Sequence, residues 1–182
     1  MQTSASGSLI GRMMGAARLD AATYEEVERD TNATTQAAIV VVLAAIASGI
    51  GALGDDDPGK AFIAGVVGGI LGWIVFAAAA YVVGTKLLST AGTEADLGQL
   101  MRTIGFAYTP YLLNVVGFIP VLGWIVGLIA GIWVIVTTVV ALRHALEMST
   151  GRAIVTAIIS AILAAIALGI VYAIFDVSTP GT

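Results

Sequence analysis

The chain has 182 residues, 58% of them hydrophobic and only 11% charged, with 22 glycines, a net charge of −4, one histidine and no cysteine. So much apolar surface cannot be hidden in one soluble core of this size, which excludes a soluble enzyme and a disordered chain. The acidic balance excludes a nucleic-acid partner, and the missing thiols exclude disulfide frameworks, thiolate chemistry and zinc sites.

A mean hydropathy of +0.98 leaves a polytopic membrane protein, all-α, as the fold class. The N-terminal segment, 1–33, is not a secretory signal, because its apolar stretch is short and the residues before the first long apolar run are acidic. Leu9, Ile10, Met13, Met14 and Ala17 recur at helical spacing, with Arg12 and Arg18 between them. The pattern predicts a short amphipathic helix lying on the inner leaflet, with Leu9, Arg12, Met13 and Arg18 as membrane-surface residues. Asp20 is placed to cap a second short helix from Ala21 to about Arg29, whose acids form a solvated face.

No charge falls between Thr31 and Gly54, which gives a first span over 34–54. Asp55-Asp56-Asp57-Pro58-Gly59-Lys60 is a polar, helix-stopping turn, and a second span follows over 61–85. Thr93-Glu94-Ala95-Asp96 has the form of a capping box, and Leu97, Leu100, Met101 and Ile104 predict a helix that skims the interface. Thr103–Leu142 holds 40 uncharged residues; a single helix would be about 60 Å long, so it must fold back. Glycines and Pro120 break it near 117–123, giving a third span over 103–119 and a fourth over 121–142. The third is short and carries Pro110, so a re-entrant hairpin is its alternative. A fifth span over 153–175 leaves a short extracytoplasmic tail, 176–182.

Five spans put seven of the eight basic residues on one side, with only Lys60 opposite. The positive-inside rule then places the chain in the cytoplasmic membrane, its N-terminus inside and its C-terminus outside. Small residues at four-residue spacing predict helix–helix seams: Gly65, Gly69 and Gly72 on the second span, Gly123, Gly127 and Gly131 on the fourth, and Ala161, Ala165 and Gly169 on the fifth. No ionisable residue falls inside a span, which removes the usual mark of a proton or charged-substrate pathway. Tyr108, Pro110, Asn114 and Pro120 remain as intramembrane polar or hinge candidates. Trp73 and Trp133 sit mid-span as packing residues, and His144 suits the C-terminal end of the fourth helix.

Gly105-Phe106-Ala107-Tyr108-Thr109-Pro110-Tyr111-Leu112-Leu113 resembles the Gly-aromatic…Pro motif in the third span of the YIP family, the Ypt/Rab-interacting five-span membrane proteins. Phe118-Ile119-Pro120-Val121-Leu122-Gly123, Ile132-Trp133, Ala141-Leu142-Arg143 and Ser149-Thr150-Gly151-Arg152-Ala153 continue the likeness, over about Leu9 to Val171. The resemblance implies a five-span bundle with a cytoplasmic N-terminus and a non-enzymatic role. Eukaryotic relatives bind small GTPases and one another in vesicle traffic, but their Asp-Leu-Tyr-Gly-Pro-type motif is missing, and Asp30-Thr31-Asn32-Ala33-Thr34 stands there instead. The composition is that of a prokaryotic-type member. No cofactor or metal is expected. The partners are the lipid bilayer and other membrane subunits or a second copy. The function read from the sequence is a membrane-organising scaffold or accessory subunit; the alternative is a transporter of small solutes or lipids with its site in the polar third span.

Overall fold

A computed structural model describes residues 7–54, 56–89 and 95–174. Asp55, Thr93 and Glu94 of the expected turn and capping box, and the expected tail 176–182, lie outside the described residues. The described residues are helical, with no strand among them: α1 (Leu9–Ala17), α2 (Ala21–Arg29), α3 (Ala33–Gly51), α4 (Pro58–Val82), α5 (Leu97–Ala107), α6 (Leu122–Ala145) and α7 (Thr150–Ile174). A 3-10 turn, Ala52–Gly54, extends α3, and a π turn, Val83–Leu87, extends α4. A longer 3-10 helix, Thr109–Val116, follows α5.

Local chemistry sets most of the starts. The Ser8 hydroxyl accepts from Gly11 N–H at 3.1 Å to open α1, and the Asp20 carboxylate accepts from Thr23 N–H at 3.2 Å to open α2. Asp57 caps α4 through Lys60 N–H, with Pro58 in its first turn, where a missing N–H costs nothing. The capping box of α5 is formed by Asp96 and Gln99: Gln99 N–H donates to Asp96, and Asp96 N–H donates back at 2.6 Å.

Four helical stretches are long and apolar enough to cross a membrane: Ala33–Gly54, Pro58–Leu87, Leu122–Ala145 and Thr150–Val171. The expected third span takes another form. Its α-helix stops at Ala107, because Pro110 lacks an N–H and its ring would meet the carbonyl of Phe106. That carbonyl accepts instead from the Thr109 hydroxyl at 2.7 Å, and the chain tightens into the 3-10 helix.

This α5–3-10 segment runs beside α3 along its whole length. Arg102 reaches Thr34, Gly105 faces Ala37, Asn114 bonds to Ser48, Gly117 faces Gly51 and Phe118 faces Gly54. The turn into α6 is tight. Leu122 N–H donates to Pro120 C=O at 2.7 Å around Val121, whose φ of 66° is a strained backbone for a β-branched residue. α6 then returns antiparallel to α5, with the Thr137 hydroxyl on the Ala107 carbonyl at 2.7 Å.

α5 does not skim a surface, as its spacing suggested, but lies at the centre. Leu100 and Ile104 sit in one core with Val41, Trp73, Ala77, Leu142 and Ala153. Phe106 and Ala107 sit in a second core with Ala16, Tyr24, Val27, Ala37 and Ala141. Small residues allow the approach: a Cβ on Gly105 would lie 2.9 Å from the Ala37 Cβ and 3.2 Å from its carbonyl oxygen. Gly105→Ala is therefore expected to lower the Tm in mild detergent, by overpacking worth about 1–3 kcal/mol. Gly127→Ala, where a Cβ meets nothing within 4 Å, should not. Equal melting temperatures for the two variants, followed by intrinsic fluorescence, would contradict this packing.

Candidate functional site

Among the described residues, two groups of interacting polar side chains stand out. The first lies at the face from which α3 departs, where α1, α2, α5 and α6 meet. The Arg12 guanidinium is 5% exposed. It donates to Glu26 at 2.8 Å, to Asp30 at 2.6 Å and to Gln36, in the first turn of α3, at 3.1 Å. Burial works against its charge, but the hydrogen bonds and charges of Glu26 and Asp30 raise its pKa on balance. The hydrogen bond from Arg12 holds Asp30 below the ordinary carboxylate value.

Arg102 of α5 is equally buried. It donates to the carbonyls of Val27 at 3.2 Å and Glu28 at 2.6 Å, in the last turn of α2. Those carbonyls have no partner within their own helix, and the helix dipole favours a cation beside them. Burial raises the pKa of Glu28, and the nearby charge of Glu147 adds to the effect. The Tyr24 hydroxyl lies within hydrogen-bond distance of two carbonyls, Ala16 at 3.2 Å and Thr137 at 3.3 Å. Its ring stacks on His144, and Glu25 lies 4.0 Å from the imidazole Nδ1.

The second group lies towards the far end of α3. Asn114 Nδ2 donates to the Ser48 hydroxyl at 3.1 Å, while its Oδ1 is buried with no hydrogen-bond partner. Pro110 is buried, Tyr108 and Tyr111 pack edge to face at 5.5 Å, and Pro120 is exposed in the turn before α6. Tyr108, Pro110 and Asn114 thus share one helical stretch, and Pro120 stands apart. Among the described residues, no three His, Cys, Asp or Glu side chains come together as they would around a metal ion.

The expected surface residues divide. Arg18 is exposed, and Leu9 and Met13 are half-buried against the second core. Arg12 departs from the expectation: it points inward, because two carboxylates and a glutamine wait for it there. Nor are the α2 acids a purely solvated face, since Glu26 and Asp30 are spent on Arg12. Trp133, read from the sequence as packing, is 45% exposed and donates its indole N–H to the Ala17 carbonyl at 2.8 Å.

The small residues also divide. Gly65 lies against Gly49, Gly69 against Ala45 and Gly123 against Gly117. A Cβ on Gly72, Gly127, Gly131 or Gly169 would meet nothing within 4 Å, and Ala161 and Ala165 are exposed. On α7 the stripe buried within the chain is Ala153, Thr156, Ser160 and Ala164, one residue round from the expected one.

The sequence matches the Yip1 domain family over residues 20–172, most of its length. The chain belongs to the Yip1 family. No curated protein and no solved structure matches it. In this Yip1-domain chain the matched region begins at Asp20, so it takes in α2 with Glu26, Asp30 and the carbonyls that hold Arg102. The spacing of Arg12 and Arg102 gave no sign of this junction. The one available signal was an arginine in the middle of each of two short apolar helices.

Two outcomes follow. Arg102→Met should cost about 3 kcal/mol, because it leaves two carbonyls buried at the end of α2, and Arg102→Lys should recover part of the loss. Thermal melts of the two variants beside the parent check this. Because the folded pKa of Asp30 lies below 3.8, its contribution to stability is complete above that pH and is lost as pH falls through the lower, folded value. The acid-side fall in Tm should therefore be shallower in Asp30→Asn than in the parent.

Proposed function

We propose that this Yip1-domain protein is a non-catalytic scaffold or accessory subunit of a membrane complex. It associates with a second copy or with other membrane proteins through the outward-facing small residues of α6 and α7. The observation that carries the reading is the open space beside Gly127, Gly131 and Gly169, while the glycines of the α3–α4 seam are already occupied. Small residues let helix backbones approach closely, which is how helices associate in lipid.

The same reading has five crossings in the cytoplasmic membrane, with the N-terminus inside and the C-terminus outside. What supports the third crossing is the α5–3-10 segment beside α3. From Thr103 onward, the rest of α5 and the 3-10 helix cover about 24 Å at about 1.5 and 2.0 Å per residue, most of the thickness of a hydrocarbon core. Seven of eight basic residues then share the inner side.

Crosslinking and native mass spectrometry in mild detergent test the association. The parent should show a dimer or a bound partner, and Gly131→Leu with Ala165→Leu should reduce it at unchanged Tm. A parent that is strictly monomeric and free of partners overturns the proposal. The chain has no cysteine, so single cysteines report topology. Ser149→Cys should be labelled from the inside, and Leu53→Cys and Ser178→Cys from the outside; a Ser178→Cys labelled from the inside overturns five crossings.

A second reading, transport of a small solute or lipid through the region around Asn114, is favoured by the unpaired Asn114 Oδ1. Flux in reconstituted vesicles that is lost in Asn114→Leu would support it, and no flux across a broad solute panel would reject it.

A further inference from the structure

The α1–α2 turn sits far up the side of α6. Ala17 C=O accepts from the Trp133 indole, and Leu19 lines a cleft of about 310 Å³ with Ile129, Ile132, Trp133 and Val136. Trp133 is ten residues from Arg143, in the last turn of α6, which is about 15 Å along the helix axis. The other end of the hairpin stays low: Arg12 is tied to Gln36 in the first turn of α3, and the end of α2 is tied to Arg102. From Arg12 to Ala17, α1 rises about 7.5 Å towards Trp133. α1 packs against α2, α5 and the 3-10 helix, and its C-terminal end reaches Trp133 of α6.

Its side chains are arranged for hydrocarbon. Ile10 is 69% exposed and Met14 46%, with Leu19 exposed at the tip, while Arg12 is turned inward onto its acids. In water this arrangement is inverted; beside a spanning helix it is the expected one, because apolar groups face lipid and charges pair inside.

From these observations we infer that α1 and α2 form a hairpin inserted tip-first among the acyl chains of the leaflet beside the N-terminal face, and that acyl chain fills the cleft between Leu19 and α6. The occupant follows from continuity: the cleft opens on the same exposed apolar surface of α6, Ile129, Ile132 and Val136, that meets lipid. The two charges of the tip are accommodated. Asp20 accepts from the Thr23 N–H and hydroxyl. Arg18 is exposed, and a long basic side chain at this depth snorkels to the headgroups, with local thinning of the leaflet. The inference rests on α6 crossing the membrane, not on association with a partner.

The cysteine-free chain makes the test direct. Spin labels at Ser8→Cys, Ile10→Cys, Met14→Cys, Leu19→Cys and Ile132→Cys are read by power saturation in vesicles of phosphatidylcholine and phosphatidylglycerol. Collisions with oxygen should exceed those with a water-soluble nickel chelate at 10, 14, 19 and 132. Depth should grow from 8 to 19, reaching about 10–15 Å at Leu19. Equal, shallow depths at 10, 14 and 19 mean that the hairpin lies flat and overturn the inference, as does strong nickel contact at 19 or 132. Dipolar broadening between copies at Ile132→Cys means that a second chain fills the cleft, and it also overturns the lipid occupant. A monomer in the crosslinking experiment with deep labels here would sink the association reading and leave this one standing.

Discussion

A single buried cation does most to set how the parts of this molecule meet. The Arg102 guanidinium is taken out of water at the centre of the bundle and bound by two carbonyls at the end of α2. Charge without partners at that position would be ruinous, so α2 and α5 must come together with the last turn of α2 aimed at α5. Once they do, α5 lies between the two cores, with Leu100 and Ile104 on one side and Phe106 and Ala107 on the other. The short N-terminal helices are thereby part of the bundle's structure, not an appendage on its surface.

Arg12 repeats the principle one layer out. It pairs with Glu26 and Asp30, so three of the charged groups of the N-terminal segment are spent on one another. On α1 itself the exposed residues are then Ile10 and Met14. A helix with its charges inward and its isoleucine and methionine outward fits a surrounding of lipid, and the same residues at the same spacing would be arranged the other way on a soluble domain.

Small residues do two kinds of work. Gly49, Gly65 and Gly69 are consumed in the seam between α3 and α4, and Gly51, Gly117 and Gly123 in the crowded turn at the far end. Gly127, Gly131 and Gly169 lie along open faces. A four-residue repeat is common to both groups, so the repeat says that a helix face is smooth and not what it touches. On α7 the polar Thr156 and Ser160 face inward with Ala153 and Ala164, and the smoother alanine stripe faces out.

The long apolar runs, the polar punctuation between them and the cap at Asp20 were legible in the sequence, because they depend on local chemistry and on the length a bilayer requires. The family was legible too, since its motif is an order of residues. The direction in which Arg12 points, the burial of Arg102 and the contact of Trp133 with Ala17 were not. Each joins residues far apart in the chain, 24 positions from Arg12 to Gln36 and 116 from Ala17 to Trp133, and no periodicity records such a pairing. Pro110 could be seen to break a helix, but only the neighbouring α3 decides that the chain continues as a 3-10 helix beside it. The sequence by itself determined which segments are apolar and where helices begin. The tertiary structure decided which face of each helix is inside, because that depends on where the buried charges find their partners.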